Sequence, residues 1–244
     1  MKGTRPLTNK EILKVAECFD GTFAIRNRSL FMLGVSVGGR ISELLALRVG
    51  DVWQNDKPVT DLLFGKDIVK GGEVSRAVPM NSDAQSAIAD LIAWYQESHT
   101  SDFDEGSAML PLFPSRNAGN GGLVAMKRQA ADRILKVAFV KAGLNGKLAT
   151  HSLRKSFAQR LYEQTNDVFA VQEMLGHKSI STTQDYLGVN YGSVKAALEA
   201  MAVSADGEPK NATPIFKATD DELVIEMLKR GYNVRKTQGG GDCE

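Results

Sequence analysis

The chain has 244 residues, 43% apolar and 24% charged, the balance of an ordinary soluble globular protein of one large domain or one and a half. It contains no apolar run near the ~20 residues that span a bilayer, and Met1–Lys10 is too polar for a signal peptide. The net charge is +1; residues 206–244 hold eight Asp/Glu against six Lys/Arg, leaving +3 for residues 1–205, too mild for composition alone to name nucleic acid as partner.

In chain order, Thr8 and Glu11 form a capping box that opens a helix running to about Cys18. Asn27–Val37 is an apolar helix, broken by Gly38-Gly39. Arg40–Leu47 follows as a short helix with Leu44, Leu45 and Leu47 turned inward. Arg40 starts that helix, and Glu43 one turn later is placed to pair with it or to cap the backbone. Taken alone, Arg40 is a surface arginine on a turn. Residues 49–80 change period. V-G-D-V-W, V-T-D-L-L-F and D-I-V-K-G-G-E-V-S-R-A-V-P predict a three-stranded antiparallel sheet with Gly71-Gly72 as a hairpin turn. Lys70 stands at the lip of that turn and by itself reads as a solvated edge lysine.

Ser82 and Gln85 suggest a second capping box, for a helix to about Glu97 with Ile88, Leu91, Ile92 and Tyr95 on one side. His99 reads as a surface residue, and residues 100–124, rich in Gly, Ser, Asn and Pro, as a long loop. Met126–Ala142 is an amphipathic helix ended by Gly143, with Lys127, Arg128, Gln129, Arg133 and Lys136 outward, by itself a solvated face. Thr150 is the expected N-cap of His151–Gln164, whose core side is Leu153, Phe157 and Leu161. Asp167 caps Val168–Leu175, and Gly176 follows as its C′ residue. Ser179 or Ser181 starts a short helix carrying Tyr186, and Asn190–Ala202 is a further amphipathic helix. Residues 203–218 are a linker by composition. Thr219 and Glu222 cap a helix ending near Arg230, whose Leu223, Met227 and Leu228 must dock elsewhere, and Gln238–Glu244 is expected to be disordered. Cys18 and Cys243, far apart in sequence, suggest reduced thiols in a cytoplasmic protein. The sequence has no metal-ligand cluster, Walker loop or dinucleotide glycine fingerprint.

The chemistry concentrates in Thr150–Gly188, which holds two of the three histidines. His151 and Arg154, at i and i+3 on a helix, share a face. A cation that grips an anion beside a group able to move a proton suits phosphoryl chemistry. Tyr186, nine residues after His177, adds a hydroxyl that could act as nucleophile.

H-S-L-R (151–154), L-G-H (175–177) and T-T-Q-D-Y (182–186), in this order and spacing, resemble the tyrosine recombinases, the phage-integrase family. G-G-R-I-S-E-L-L-A-L (38–47) resembles the segment that carries the family's first arginine. V-K-G-G-E-V-S-R-A-V-P (69–79) resembles the hairpin that carries its lysine. The likeness runs from about Arg5 to about Met201.

The resemblance implies an α+β, mostly helical catalytic domain over residues 1–205 with a small three-stranded antiparallel sheet. Residues 206–244 would follow it as linker, short helix and tail. It implies Tyr186 as nucleophile forming a 3′-phosphotyrosyl link, with Arg40 and Arg154 clamping the scissile phosphate. His151 would take the tyrosine proton, and Lys70 (Lys66 as fallback) would supply one to the leaving 5′-oxygen. His177 would bond the phosphate or hold Tyr186. Neither ATP nor a metal is then needed, so no cofactor is expected. The partner is double-stranded DNA, bound by a homotetramer on paired sites, with a monomer or weak oligomer when free and accessory proteins as further partners. Arg76, Lys127, Arg128, Gln129, Arg133 and Lys178 are candidate DNA contacts. Family members usually carry a separate core-binding domain ahead of the catalytic one, whereas this chain starts near the catalytic domain's first helix, as a fragment or a short recombinase would. A type IB topoisomerase uses a similar constellation but usually has lysine at the position of His151. A non-catalytic DNA-binding module is the third reading.

Overall fold

Thr8 caps the first helix, α1 (Asn9–Ala16), through the expected reciprocal pair. Its Oγ1 accepts from the Glu11 N–H at 3.3 Å, and the Glu11 carboxylate accepts from the Thr8 N–H at 2.9 Å. The computed structural model describes residues 3–65, 75–98, 107–116 and 122–187. The chain divides into two compact units, Met1–Gly188 and Val189–Glu244, and all the described residues lie in the first. Lys66, Lys70, the Gly71-Gly72 turn, His99 and the helices expected at 190–202 and 219–230 fall outside them.

The apolar run becomes α2 (Ala24–Val37), three residues longer at its start than expected. From Ser29 to Val37 every residue is buried, so this part of the helix has no solvent face, while Ile25 and Arg28 in its first turns are exposed. One side of it packs with α3 (Ile41–Ala46), the strands and α5 (Ser82–Ser98) around Leu44, Phe64, Ile88 and Leu91. The other side packs with α1, α6 (Arg128–Lys141) and α7 (Thr150–Thr165) around Phe31, Leu135, Phe139 and Leu153. A smaller cluster of Ala158, Val171, Leu175 and Leu187 joins α7 to α8 (Val168–Leu175) and α9 (Ile180–Leu187). Burial of each large aliphatic side chain contributes about 1.5–3 kcal/mol.

The close approach of α7 to α2 has one local cause. A Cβ on Gly34 would stand 2.5 Å from Leu153 Cδ2, so only glycine lets Leu153 seat there. Leu153 lies between His151 and Arg154, and this contact therefore sets how both side chains are presented.

The α+β, mostly helical class holds, with differences in detail. In place of one three-stranded sheet, the described residues form two two-stranded antiparallel ladders. β1 (Trp53–Gln54) pairs with β2 (Lys57–Pro58), and β3 (Asp61–Phe64) pairs with β4 (Arg76–Pro79) in the register Leu62 to Val78. V-G-D-V-W is not a strand, because Val49–Val52 (α4) closes one helical turn. There the Asp51 carboxylate accepts from the Arg48 N–H at 2.7 Å, a local bond that outweighs β-propensity over so few residues. The N-cap of α5 is Asn81, whose Oδ1 accepts from the Ala84 N–H, and Ser82 is the first helical residue. Likewise Thr150 lies inside α7, and Ser152 Oγ accepts from the Ala149 N–H that precedes the helix. Part of the expected loop at 100–124 is core: Leu112 and Phe113 are fully buried, and bridges join Arg48 to Pro111 and Pro114 to Ala125. Among the described residues, no helix is long and apolar enough to cross a membrane.

Candidate active site

The glycine pair ending α2 places the first arginine. Gly38 caps the helix at φ +61°, where a Cβ would also stand 2.3 Å from the Phe157 ring. The chain then turns, and Arg40 enters α3 as its N-cap residue. The Arg40 N–H donates to Glu43 Oε2 at 2.8 Å, and its Nη1 donates to Glu43 Oε1 at 2.7 Å. Arg40 keeps 36% of its side chain exposed, whereas Glu43 is wholly buried. One end of the guanidinium is thus anchored while the residue still faces solvent.

Arg154, on α7, is almost completely buried. Its Nη1 donates to Gly38 O and its Nη2 to Leu175 O, both at 2.7 Å. These carbonyls end α2 and α8, where unpaired acceptors and the negative pole of each helix gather. Burial, then the Arg40 charge, bring Arg154 down to about 10, so it remains a cation at neutral pH. Glu43 is the counter-ion at this corner. Its Oε2 lies 3.9 Å from Arg154 Nη1 and accepts from Arg76 Nη2 at 2.6 Å. Burial pushes the Glu43 carboxyl up, but the bonds from Arg76 and Arg40 outweigh it and hold the group below the ordinary glutamate range.

His151 opens on the same corner. A cleft of about 150 Å³ is lined by Gly39, Arg40, Arg128, His151 and Arg154 among others. Partial burial, followed by the charges of Arg128, Arg154, Lys155 and Arg40, lowers the His151 pKa, so the ring is neutral at pH 7. Tyr186, half-buried on α9, brings its hydroxyl to 3.4 Å from His151 Nδ1. Burial raises the Tyr186 pKa despite the opposing charges of Arg154 and Arg40. A neutral phenol therefore faces a neutral imidazole, the arrangement in which the imidazole can accept the phenolic proton.

His177 follows Gly176, which ends α8 at φ +64°. Its ring packs edge-on against Tyr186 at 5.4 Å between centroids, and its Nδ1 lies 2.9 Å from Thr183 Oγ1. Burial and then Arg154, Arg40 and Arg76 push His177 down to about 4. The tautomer in which the wholly buried Thr183 hydroxyl donates to Nδ1 carries the ring proton on Nε2. That leaves an N–H donor for an anion.

Five of the six sequence-selected catalytic positions thus meet at one corner, and Lys70 lies outside the described residues. The candidate DNA contacts divide. Lys127, Arg128, Gln129, Arg133 and Lys178 are exposed, and Arg128 reaches the cleft itself. Arg76 does not face solvent: its side chain is 8% exposed and its bonds run inward. Its inward setting was available from strand alternation, since 76, 78 and 80 share the face that buries Val78 and Met80. Sequence reading also passed over Thr183 and Lys155, whose Nζ sits 5.4 Å from the Tyr186 ring centre. A polar residue one turn before Tyr186 was the only signal for Thr183.

The phage integrase family matches this chain over residues 5–192. The chain is 35% identical over 181 residues to the tyrosine recombinase XerC of Xanthomonas campestris pv. campestris, covering 74% of this chain and 50% of that protein. It is 36% identical over 188 residues to the tyrosine recombinase XerD of Mycobacterium leprae, covering 75% and 56%. It therefore spans about half the length of these curated relatives. Among solved structures, the XerH site-specific recombinase bound to a palindromic difH substrate, a post-cleavage complex, aligns with a TM-score of 0.61 at 26% identity. That alignment covers 81% of this chain and 53% of the other. XerA recombinase shares the fold with a TM-score of 0.59 at 21% identity, covering 80% and 63%. The matched span includes the whole constellation around Tyr186, and the chain belongs to the phage integrase family, the tyrosine recombinases.

Proposed function

We propose that this chain breaks and rejoins double-stranded DNA, with Tyr186 as the attacking nucleophile of a site-specific recombinase. The observation that carries the reading is the Tyr186 hydroxyl at 3.4 Å from His151 Nδ1, beside Arg40 and Arg154, which Glu43 holds at one corner. The Tyr186 oxygen attacks phosphorus as His151 accepts its proton. The bond to the 5′-oxygen breaks, leaving a 3′-phosphotyrosyl link and a 5′-hydroxyl. Lys70 is the proposed donor of the proton that the leaving oxygen takes up. Arg40, Arg154 and the His177 Nε2–H stabilise the charge on the non-bridging oxygens, each such contact worth on the order of 10²–10³ in rate. Because the phosphotyrosyl bond stores the energy of the broken one, rejoining needs no nucleotide. One tyrosine cuts one strand, so exchange between two duplexes calls for four copies.

The test is covalent trapping on a library of nicked duplexes randomised around the nick, incubated with EDTA and quenched in SDS. The fragment released beyond the nick diffuses away and prevents rejoining. The expected result is a protein–DNA adduct with free 5′-hydroxyl ends, absent from Tyr186→Phe. An adduct that persists in Tyr186→Phe, or no adduct anywhere in the library, overturns the reading.

A further inference from the structure

We infer that Arg76 is a positioning residue for strand cleavage, holding the Arg40–Arg154 clamp in register with the His177 turn through Glu43. Two segments that bear proposed site residues, α3 and the end of α8, converge with β3 on this one side chain. From β4, Arg76 Nη2 donates to Glu43 Oε2 at 2.6 Å, and Glu43 in turn holds the Arg40 N–H and Nη1. Arg76 Nε donates to Met174 O at 3.1 Å, in the last turn of α8 and three residues before His177. The guanidinium carbon lies 4.3 Å above the centre of the Phe64 ring on β3, which fixes the plane of the fork. Gly176 is fitted to the same side chain, since a Cβ there would stand 3.1 Å from Arg76 Cδ.

A guanidinium suits this place and an ammonium does not. The planar fork reaches the carboxylate and the carbonyl at once, while its face lies on the ring. Arg76 itself stays away from the cleft and acts through Glu43. Without it, Glu43 still accepts from the Arg40 N–H on Oε2 and from Arg40 Nη1 on Oε1, but loses the bond that ties this pair to β4. The Arg40–Glu43 pair is then free to shift relative to β4 and the end of α8. The substituent on β4 also becomes free to separate from the end of α8, which loosens the turn that presents His177.

The inference rests on the proposed cleavage reaction, and the experiment separates the two. Duplexes trapped by the wild-type protein are remade with the scissile phosphodiester either intact or replaced by a methylphosphonate, which lacks one anionic oxygen and relies less on the arginine clamp. Cleavage of both is timed for wild type, Arg76→Gln, Arg76→Lys and, as reference, Arg40→Ala. Because both substrates are compared with the same preparation, any loss of folded protein cancels in the ratio of rates. For Arg76→Gln, cleavage of the phosphodiester should fall by up to about 100-fold, the cost of misplacing a reacting group by about 1 Å through a change away from the chemistry. The methylphosphonate rate should fall much less, as it should for Arg40→Ala, and Arg76→Lys should recover part of the phosphodiester rate. Equal losses on both substrates would reduce Arg76 to a structural residue, and an unchanged phosphodiester rate would refute the inference while leaving the proposed reaction intact. A wild-type protein that cleaves neither substrate counts against the reaction itself.

Discussion

Replacing Glu43 by Gln should be among the most destabilising isosteric changes available in the described residues. The wild-type carboxylate is wholly buried and accepts three hydrogen bonds, from the Arg40 N–H at 2.8 Å, Arg40 Nη1 at 2.7 Å and Arg76 Nη2 at 2.6 Å. The amide keeps one acceptor oxygen and turns an NH₂ group towards a guanidinium. Arg40, with 36% of its side chain exposed, can recover water, but Arg76 at 8% and Arg154 at 3% cannot. Stranding a buried cation in this way costs about 3–5 kcal/mol, a large part of the ~5–15 kcal/mol that holds a domain together. Urea unfolding at neutral pH, followed by circular dichroism, reads the difference directly. The gap must also depend on pH with a definite sign. Because the folded Glu43 titrates below its ordinary value, the wild-type advantage is full above the ordinary glutamate pKa of about 4.3. It is lost as the pH falls through the lower folded pKa. A loss of stability under about 1 kcal/mol, far short of a broken buried pair, or one that is flat down to strong acid would refute the reasoning.

Gly38→Ala should cost about 1–2 kcal/mol for the left-handed backbone and a further ~1–3 kcal/mol for collision with Phe157. Thermal unfolding should show the loss, and wild-type stability would mean that the turn holding Arg154 through Gly38 O is not under that constraint. Thr183→Val removes the hydroxyl paired with His177 Nδ1 with little change in side-chain volume. Single-turnover cleavage should slow by about 10-fold with little change in stability, and an unaltered rate would remove Thr183 from the argument.

Much of this corner was legible because its signals are local. The cap at Thr8, the glycine breaks at Gly38 and Gly176, and the i, i+3 pair of His151 and Arg154 each depend on a few neighbouring residues. His151, Arg154 and Tyr186 stand out as candidates from the chain alone, whereas Arg40 and His177 need the family resemblance. What the chain did not display was long-range. Arg76 and Glu43 are 33 residues apart, and their bond exists only because the fold brings the start of β4 within side-chain reach of α3. Arg76 reads by its charge as a DNA contact, whereas strand alternation turns it inward. V-G-D-V-W reads by its valines as a strand, whereas the Asp51 cap closes Val49–Val52 into a helical turn. Leu112 and Phe113 are hidden inside a stretch whose composition says loop, and backbone pairing with Leu47 and Arg48 on one side and Ala125 and Met126 on the other draws them into the core.

The charges around the cleft carry a consequence for the order of events. Arg40, Arg128, Arg154 and Lys155 all act to depress His151, after partial burial, and among the described residues the carboxylate of this corner, Glu43, is already shared by Arg40 and Arg76. A bound phosphodiester would bring the missing negative charge. At about 5 Å and an effective dielectric constant near 20, one unit charge is worth roughly 3 kcal/mol, on the order of two pH units before the arginines take their share. The proposed base for the Tyr186 proton would thus become more basic only when the phosphate is in place, which keeps the phenol intact in the free protein. The free protein should show an acid limb in kcat/KM below the ordinary histidine value of about 6.5, and the bound complex should show its limb at higher pH in the single-turnover rate. His151→Gln should lose this limb from both profiles, which separates it from the His177 titration near 4. Coincident limbs for free and bound protein would mean that the substrate does not tune the base, and a limb that survives in His151→Gln would place the proton elsewhere.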